Sequence, residues 1–292
     1  MRYMDNLIFS LNATVPIFLT MILGFVFRKV GLMDEEFTNK ANKFVFQAAL
    51  PALLFSDLSQ ANFLDVWNGT FVAYCALTTI ACIVITILIS CLWKDKSIQG
   101  EFVQGAYRSS AAILGVAFIQ NIYGTSGMAP LMIIGSVPLY NIFAVIILTF
   151  TSSDADKKGI RKACIGVLTN PIIIGIVLGM IASFFNIKFP GMIKKTISNM
   201  GVMTSPLALI SIGATFRGRE ALAKIKPTLG ASFIKLIGLA VVFMPLAIYM
   251  GFRDQKLIAL LIMLASPCTP ASYIMAKNMD GDAELASSIV VA

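Results

Sequence analysis

The chain has 292 residues, 58% of them apolar and only 13% charged, and its mean hydropathy is +0.83. Soluble domains carry about a quarter charged residues, so this composition excludes a water-soluble globular protein and specifies an integral membrane one. The formal net charge of +8 is spread over short loops, which argues against nucleic acid. With no His and five Cys in unpaired spacing, the chain offers no metal or cofactor site, no disulfide framework and no basis for an enzyme.

The first apolar run, 8–28, follows MRYMDN without a small-residue cleavage site and reads as a retained span. A polar connector, MDEEFTNKANK, with Asp34 placed as a helix cap, leads to a second span at 40–60 that contains Pro51. Spans at 66–92, 102–122 and 128–150 follow, then a short tether around SSDADKKGIRK. The second half offers 163–186, 196–216 with Pro206, 228–250, 256–277 and a tenth span from 282 onward. Most of these contain charge-free runs of about 20 residues, enough for about 30 Å of hydrocarbon. The last has eight charge-free residues, Leu285 to Ala292, and is expected to be truncated.

Of the 23 Lys and Arg residues, fifteen fall on one set of alternate loops, from Arg28 and Lys29 to Lys277, and six on the other set. The richer side is the cytoplasm by the positive-inside rule. The N-terminus is then outside a cell membrane, and the loop between helices 5 and 6 is inside.

The sequence also repeats itself. VPIFLTMILGFVF at 15–27 superposes on NPIIIGIVLGMIA at 170–182 with a shift of 155 residues, matching Pro16 to Pro171 and Gly24 to Gly179. The same shift carries Pro51 onto Pro206. Five spans per copy is an odd number, so the second copy (160–292) must cross the membrane in the opposite sense to the first (1–153). The expected fold is all-α, with ten transmembrane helices in two inverted five-helix repeats. Such repeats are typical of secondary transporters with discontinuous helices and alternating access.

Interruptions are legible in four segments: at Pro51, at RSSAAILG, at Pro206 and in ASPCTPASYIMAKN (265–278). Proline inside a helix costs about 3 kcal/mol, and lipid supplies no water to repair the lost bond. In the last stretch Thr269 is placed as an N-cap and Pro270 at the first helical position, so a new half-helix starts there after a break near Pro267. Its N-terminus presents free N–H groups and about half a positive charge, which suits a carboxylate. Ser266, Cys268 and Ser272 flank it.

NKFVFQAALPALLFSDLSQ, NPIIIGIVLG, SPLALISIGATF and ASPCTPASYIMAKNMDGDAELASSIV together resemble the auxin efflux carrier family, bacterial relatives of the plant PIN-formed carriers, over essentially the whole chain. The resemblance implies two inverted repeats with helices 4 and 9 broken and crossing. Members often carry RSN followed by G-x-P in helix 4; YRSSAAILGVAF has Ser110 for the Asn and Ala117 for the Pro. Ser109 and Ser110 are then the substrate-facing candidates of that break.

Two cations lie within apolar runs. Arg108 is a candidate for anion attraction or a structural partner, since intramembrane charge is costly. Lys235 is expected to snorkel to the interface. Asn141, deep in helix 5, is a candidate site or gating residue, as Asn121 is to a lesser degree. The Ser and Thr residues beside Pro51 and Pro206 are read as helix glue. Asp57 and Asp65 flank the outer end of helix 2, with no carboxylate in mid-span. The expected function is a secondary active transporter or uniporter of small organic anions, dicarboxylates or indole carboxylates. Its substrate would sit among Arg108, Ser109, Ser110, Asn141, Ser266, Pro267, Thr269, Pro270 and Ser272. The alternatives are a sodium-coupled symporter of the bile-acid type and a ligand-binding membrane sensor. Proton or sodium coupling and a homodimer are both compatible with the sequence.

Overall fold

The computed structural model describes residues 2–59, 68–93, 95–111, 116–123, 127–151 and 164–292. Asp65, the tether between the halves and the side chains of Ala117 and Asn121 lie outside them. Among the described residues every regular element is helical.

Helix α1 (Arg2–Lys29) contains Pro16, whose carbonyl accepts from Thr20 Oγ1 at 2.7 Å. Helix α2 (Glu35–Phe44) begins where the Asp34 carboxylate accepts the Phe37 N–H at 2.7 Å, with Glu35 and Glu36 favourably placed in the first turn. A π-turn, Val45–Ala49, joins it to α3 (Leu50–Ser59). The Leu50 N–H reaches five residues back to the Val45 carbonyl. The extra residue relieves the clash that Pro51, next in line and without an N–H of its own, would make with the preceding turn.

Helix α4 (Gly69–Ser90) is followed by the short α5 (Gln99–Tyr107) and α6 (Val116–Tyr123), then α7 (Ala129–Thr151). Helix α8 (Pro171–Phe184) is capped by Asn170, with Pro171 at its first position. Helices α9 (Gly191–Val202) and α10 (Thr204–Thr215) abut at Met203, and Pro206 lies in the first turn of α10, where a missing N–H is not needed. Beyond α11 (Gly218–Ala223), α12 (Ile225–Phe233) runs through a second π-turn, Ile234–Gly238, into α13 (Leu239–Tyr249). The chain closes with α14 (Asp254–Ala265), α15 (Ala271–Asn278) and α16 (Ala283–Val291). Pro51 therefore follows a π-turn and Pro206 a one-residue junction, and neither lies in a gap between helices.

Among the described residues four helical stretches are long and apolar enough to span a bilayer: Gly69–Ser90, Ala129–Thr151, Gly191–Thr215 and Ile225–Tyr249. Their outward faces are apolar: Leu77, Leu88 and Val241 are about two-thirds exposed. That is the pattern of helices whose outer solvent is hydrocarbon.

Helix α1 packs on α10, α3 on α8, and α4 on α7. The first two pairs approach closely because glycine lines the seam. A methyl group added at Gly24 would strike the Ile210 carbonyl, and one at Gly179 would lie 3.1 Å from the Phe55 backbone. Both partners of these contacts, 24 with 210 and 179 with 55, are related by the 155-residue shift. The same shift relates the starts of α5 and α14, residues 99 and 254, and both ends of α6 and α15, 116–123 and 271–278.

Candidate functional site

Two helices stop inside the protein. Helix α5 ends at Tyr107, and Arg108 leaves it with extended backbone (φ −78°, ψ 133°). Helix α14 ends at Ala265, and Ser266 leaves likewise (φ −82°, ψ 151°). The two extended segments touch through the main chain, where the Ser110 N–H donates to the Pro267 carbonyl at 3.0 Å. After the second interruption α15 starts at Ala271. Thr269 Oγ1 accepts the Ala271 N–H at a long 3.4 Å, while its carbonyl accepts the Ser272 N–H at 2.9 Å. Pro270 has helical backbone (φ −54°, ψ −25°), so the first turn is set by proline geometry as much as by the Thr269 side chain.

Of the residues singled out in the sequence, Arg108, Ser109, Ser110, Asn141 and Thr269 line one cavity of about 50 Å³, together with Ala271 at the start of α15. Asp57, read from the sequence as flanking the outer end of its helix, lies in the same wall, which Leu50, Leu53, Leu54, Val137 and Tyr140 complete. Ser266, Pro267, Pro270 and Ser272 do not line it. Ser266 is buried, and no hydrogen-bond partner of its hydroxyl is found among the described residues. Ser272 Oγ lies 3.0 Å from Cys268 Sγ.

Arg108 is 3% exposed. Its Nη2 donates to Asn141 Oδ1 at 2.6 Å, and its Nη1 contacts the Met275 thioether. Asn141 is held in turn by its Nδ2, which donates to the Val137 carbonyl at 2.9 Å. An amide and a thioether orient a guanidinium without neutralising it. Among the described residues no carboxylate lies within ion-pairing distance of it. A buried charge without a counter-charge is expensive, and a guanidinium in that condition favours any anion that can reach it.

Lys235 departs from expectation. It is 2% exposed and does not snorkel. The π-turn that carries it packs on both α5 and α14, and its Nζ donates to the carbonyls of Tyr107 at 3.2 Å and Met263 at 3.0 Å. Sequence spacing carries no signal of this, because the partners are main-chain atoms of two other helices.

A second, wider space of about 510 Å³ opens at the other end of α15 and is lined by Arg28, Lys29, Arg217, Lys277, Glu35 and Tyr273. The Tyr273 hydroxyl lies 2.9 Å from Thr215 Oγ1 and accepts from Asn42 Nδ2 at 3.4 Å. This ties α15 to α2 and α10 at the vestibule wall. Among the described residues no group of three or more Cys, Asp or Glu converges as a metal would require.

A family model described as membrane transport protein matches residues 9–159 and 159–292. The chain is 24% identical over 299 residues to the uncharacterized transporter YfdV of Escherichia coli strain K12, covering 97% of this chain and 94% of that one. It is 19% identical over 289 residues to an uncharacterized transporter of Methanothermobacter thermautotrophicus, covering 96% and 92%. With apolar spans, two interrupted helices meeting over a buried cation and a family match through both halves, the chain belongs to the membrane transport protein family, the auxin efflux carrier group, and is a multi-pass membrane transporter.

Proposed function

We propose that this transporter moves small organic anions, dicarboxylates or indole-carboxylate-like molecules, by alternating access at the meeting point of α5–α6 with α14–α15. One observation carries the reading: Arg108, buried in the cavity wall, is held by neutral partners, and Asp57, the carboxylate in the same wall, makes no ion pair with it. A substrate carboxylate would supply the missing charge in bidentate geometry, and the N-terminus of α15 would add its dipole. At about 50 Å³ the cavity has room for a water molecule or two. Organic ligands need roughly 300 Å³ or more, so the walls must part for substrate to enter.

The architecture proposed with this function is ten membrane helices in two repeats, 1–153 and 160–292, of opposite orientation. Support comes from the 155-residue shift, which relates sequence motifs, helix ends and the two glycine contacts alike. The charge count favours a cell membrane location with the N-terminus outside. The vestibule, with its Arg and Lys residues, would then be the cytoplasmic approach to the site.

Uptake by proteoliposomes of a panel of radiolabelled mono- and dicarboxylates, with and without pH and sodium gradients, tests the reading. At least one carboxylate is expected to accumulate or equilibrate in wild-type vesicles and not in Arg108→Ala vesicles. Carboxylate uptake undiminished in Arg108→Ala would refute it. An absolute sodium requirement would favour the bile-acid-type symporter instead.

A further inference from the structure

We infer that Lys235 is a built-in cation that occupies the place between two half-helix C-termini where a dissociable coupling cation would otherwise bind. The inference does not depend on which solute is transported.

Helices end with carbonyls that lack intrahelical partners and with about half a negative charge. In lipid such an end must find a donor within the protein. Here two such ends converge. Tyr107 is the last residue of α5, and Met263 lies in the last turn of α14. One neighbouring carbonyl at each end is satisfied locally, Gln104 by the Arg108 N–H and Ile262 by the Ser266 N–H, each at 3.0 Å. The Tyr107 and Met263 carbonyls instead receive the Lys235 ammonium, and the Met263 carbonyl also accepts from Tyr140 Oη at 3.2 Å. One ammonium group therefore answers both helix ends.

In transporters with discontinuous helices, half-helix C-terminal ends and unwound carbonyls are the groups that coordinate sodium. An ammonium covalently tethered there holds the same carbonyls without dissociating. The π-turn at Ile234–Gly238 fits this role, since an extra residue in a helix turn re-aims a side chain and such turns concentrate at functional positions. Arg108 is not equivalent: its partners are side chains, and it lines the cavity. Of these two buried cations among the described residues, one joins two helix ends and the other lines the cavity.

Thermal unfolding of the purified, detergent-solubilised protein tests this with no substrate present, so the result is separable from that of the anion proposal. Three expectations follow. The wild-type midpoint is unchanged when choline chloride replaces sodium chloride at equal ionic strength. Lys235→Met, which keeps the apolar stem and removes the charge, lowers the midpoint by about 5 °C or more, while Lys235→Arg restores at least half of that loss. In Lys235→Ala, tens of millimolar methylammonium raises the midpoint and choline does not. A sodium-specific stabilisation of the wild type overturns the inference, as does Lys235→Met matching wild type, or Lys235→Ala responding equally to both cations. If Lys235→Ala cannot be purified folded, the Met and Arg variants decide, equal midpoints counting against it. If none of the variants folds, the salt exchange on the wild type decides.

Discussion

The Ser110 N–H donates to the Pro267 carbonyl at 3.0 Å, joining the two interrupted helices at the point where neither is helical. Unpaired main-chain groups inside a protein are costly, so this bond holds the two extended segments together. Ser110→Pro removes the donor and strands the carbonyl. The expected cost is about 1–3 kcal/mol, read as a lower unfolding midpoint. Ser110→Ala keeps the N–H and should stay within about 0.5 kcal/mol of wild type. Equal midpoints for the Pro and Ala variants would show that the main-chain bond contributes nothing.

Asn141→Asp separates the two readings of Arg108. The substitution is nearly isosteric and places a carboxylate where Asn141 Oδ1 now accepts from the guanidinium at 2.6 Å. If Arg108 is reserved for a substrate anion, an internal carboxylate competes with that anion, and affinity should fall at least about 10-fold. Stability is moved by two opposed changes, since Arg108 gains a counter-charge while the Val137 carbonyl loses the donor it has in Asn141 Nδ2, so the affinity and not the unfolding midpoint is the deciding readout. Unchanged carboxylate affinity in this variant, measured by binding or by uptake KM, would make Arg108 a structural group.

Much of this arrangement is legible in the sequence, and the parts that are not share a cause. Pro51 and Pro206 announce the π-turn between α2 and α3 and the junction between α9 and α10, and ASPCTPAS announces the interruption before α15, because proline acts on its own backbone. The interruption after Tyr107 is marked only by the polar RSSAAILG, with no proline to fix its position, and what holds it is not legible at all. It is held by a main-chain bond to Pro267, 157 residues away in the chain, and pairing at that distance leaves no trace in local spacing. Lys235 misleads for a related reason. A lysine followed by apolar residues looks free to reach the interface, and the carbonyls that hold it become acceptors only because α5 and α14 stop there. Arg108 and Asn141 are recognisable one by one as intramembrane polar groups, but not as partners.

Glycine at the α1–α10 seam yields a ranking. Added methyl groups at Gly24 and Gly213 would strike the carbonyls of Ile210 and Met21, and main-chain atoms cannot rotate away. Gly24→Ala and Gly213→Ala should each cost about 1–3 kcal/mol by forcing the helices apart. A methyl group added at Gly191, at the start of α9, would meet nothing within 4 Å, so Gly191→Ala should be neutral or slightly stabilising. Detergent unfolding midpoints check the order, and a Gly213→Ala protein as stable as Gly191→Ala would mean that the seam is looser than described.

The proposed inverted repeats make a topological demand on two exposed lysines. Lys96 follows the third span of the first copy and Lys194 the first span of the second, so one should face the cytoplasm and the other the exterior. Single cysteines at these positions need a background in which the exposed Cys91 and Cys164 are replaced by Ser. In intact cells a membrane-impermeant maleimide should label Lys194→Cys and spare Lys96→Cys. Permeabilisation should then expose the second without changing the first. Labelling of both from outside, or of neither, would break the proposed topology, because it places three spans, an odd number, between the two positions.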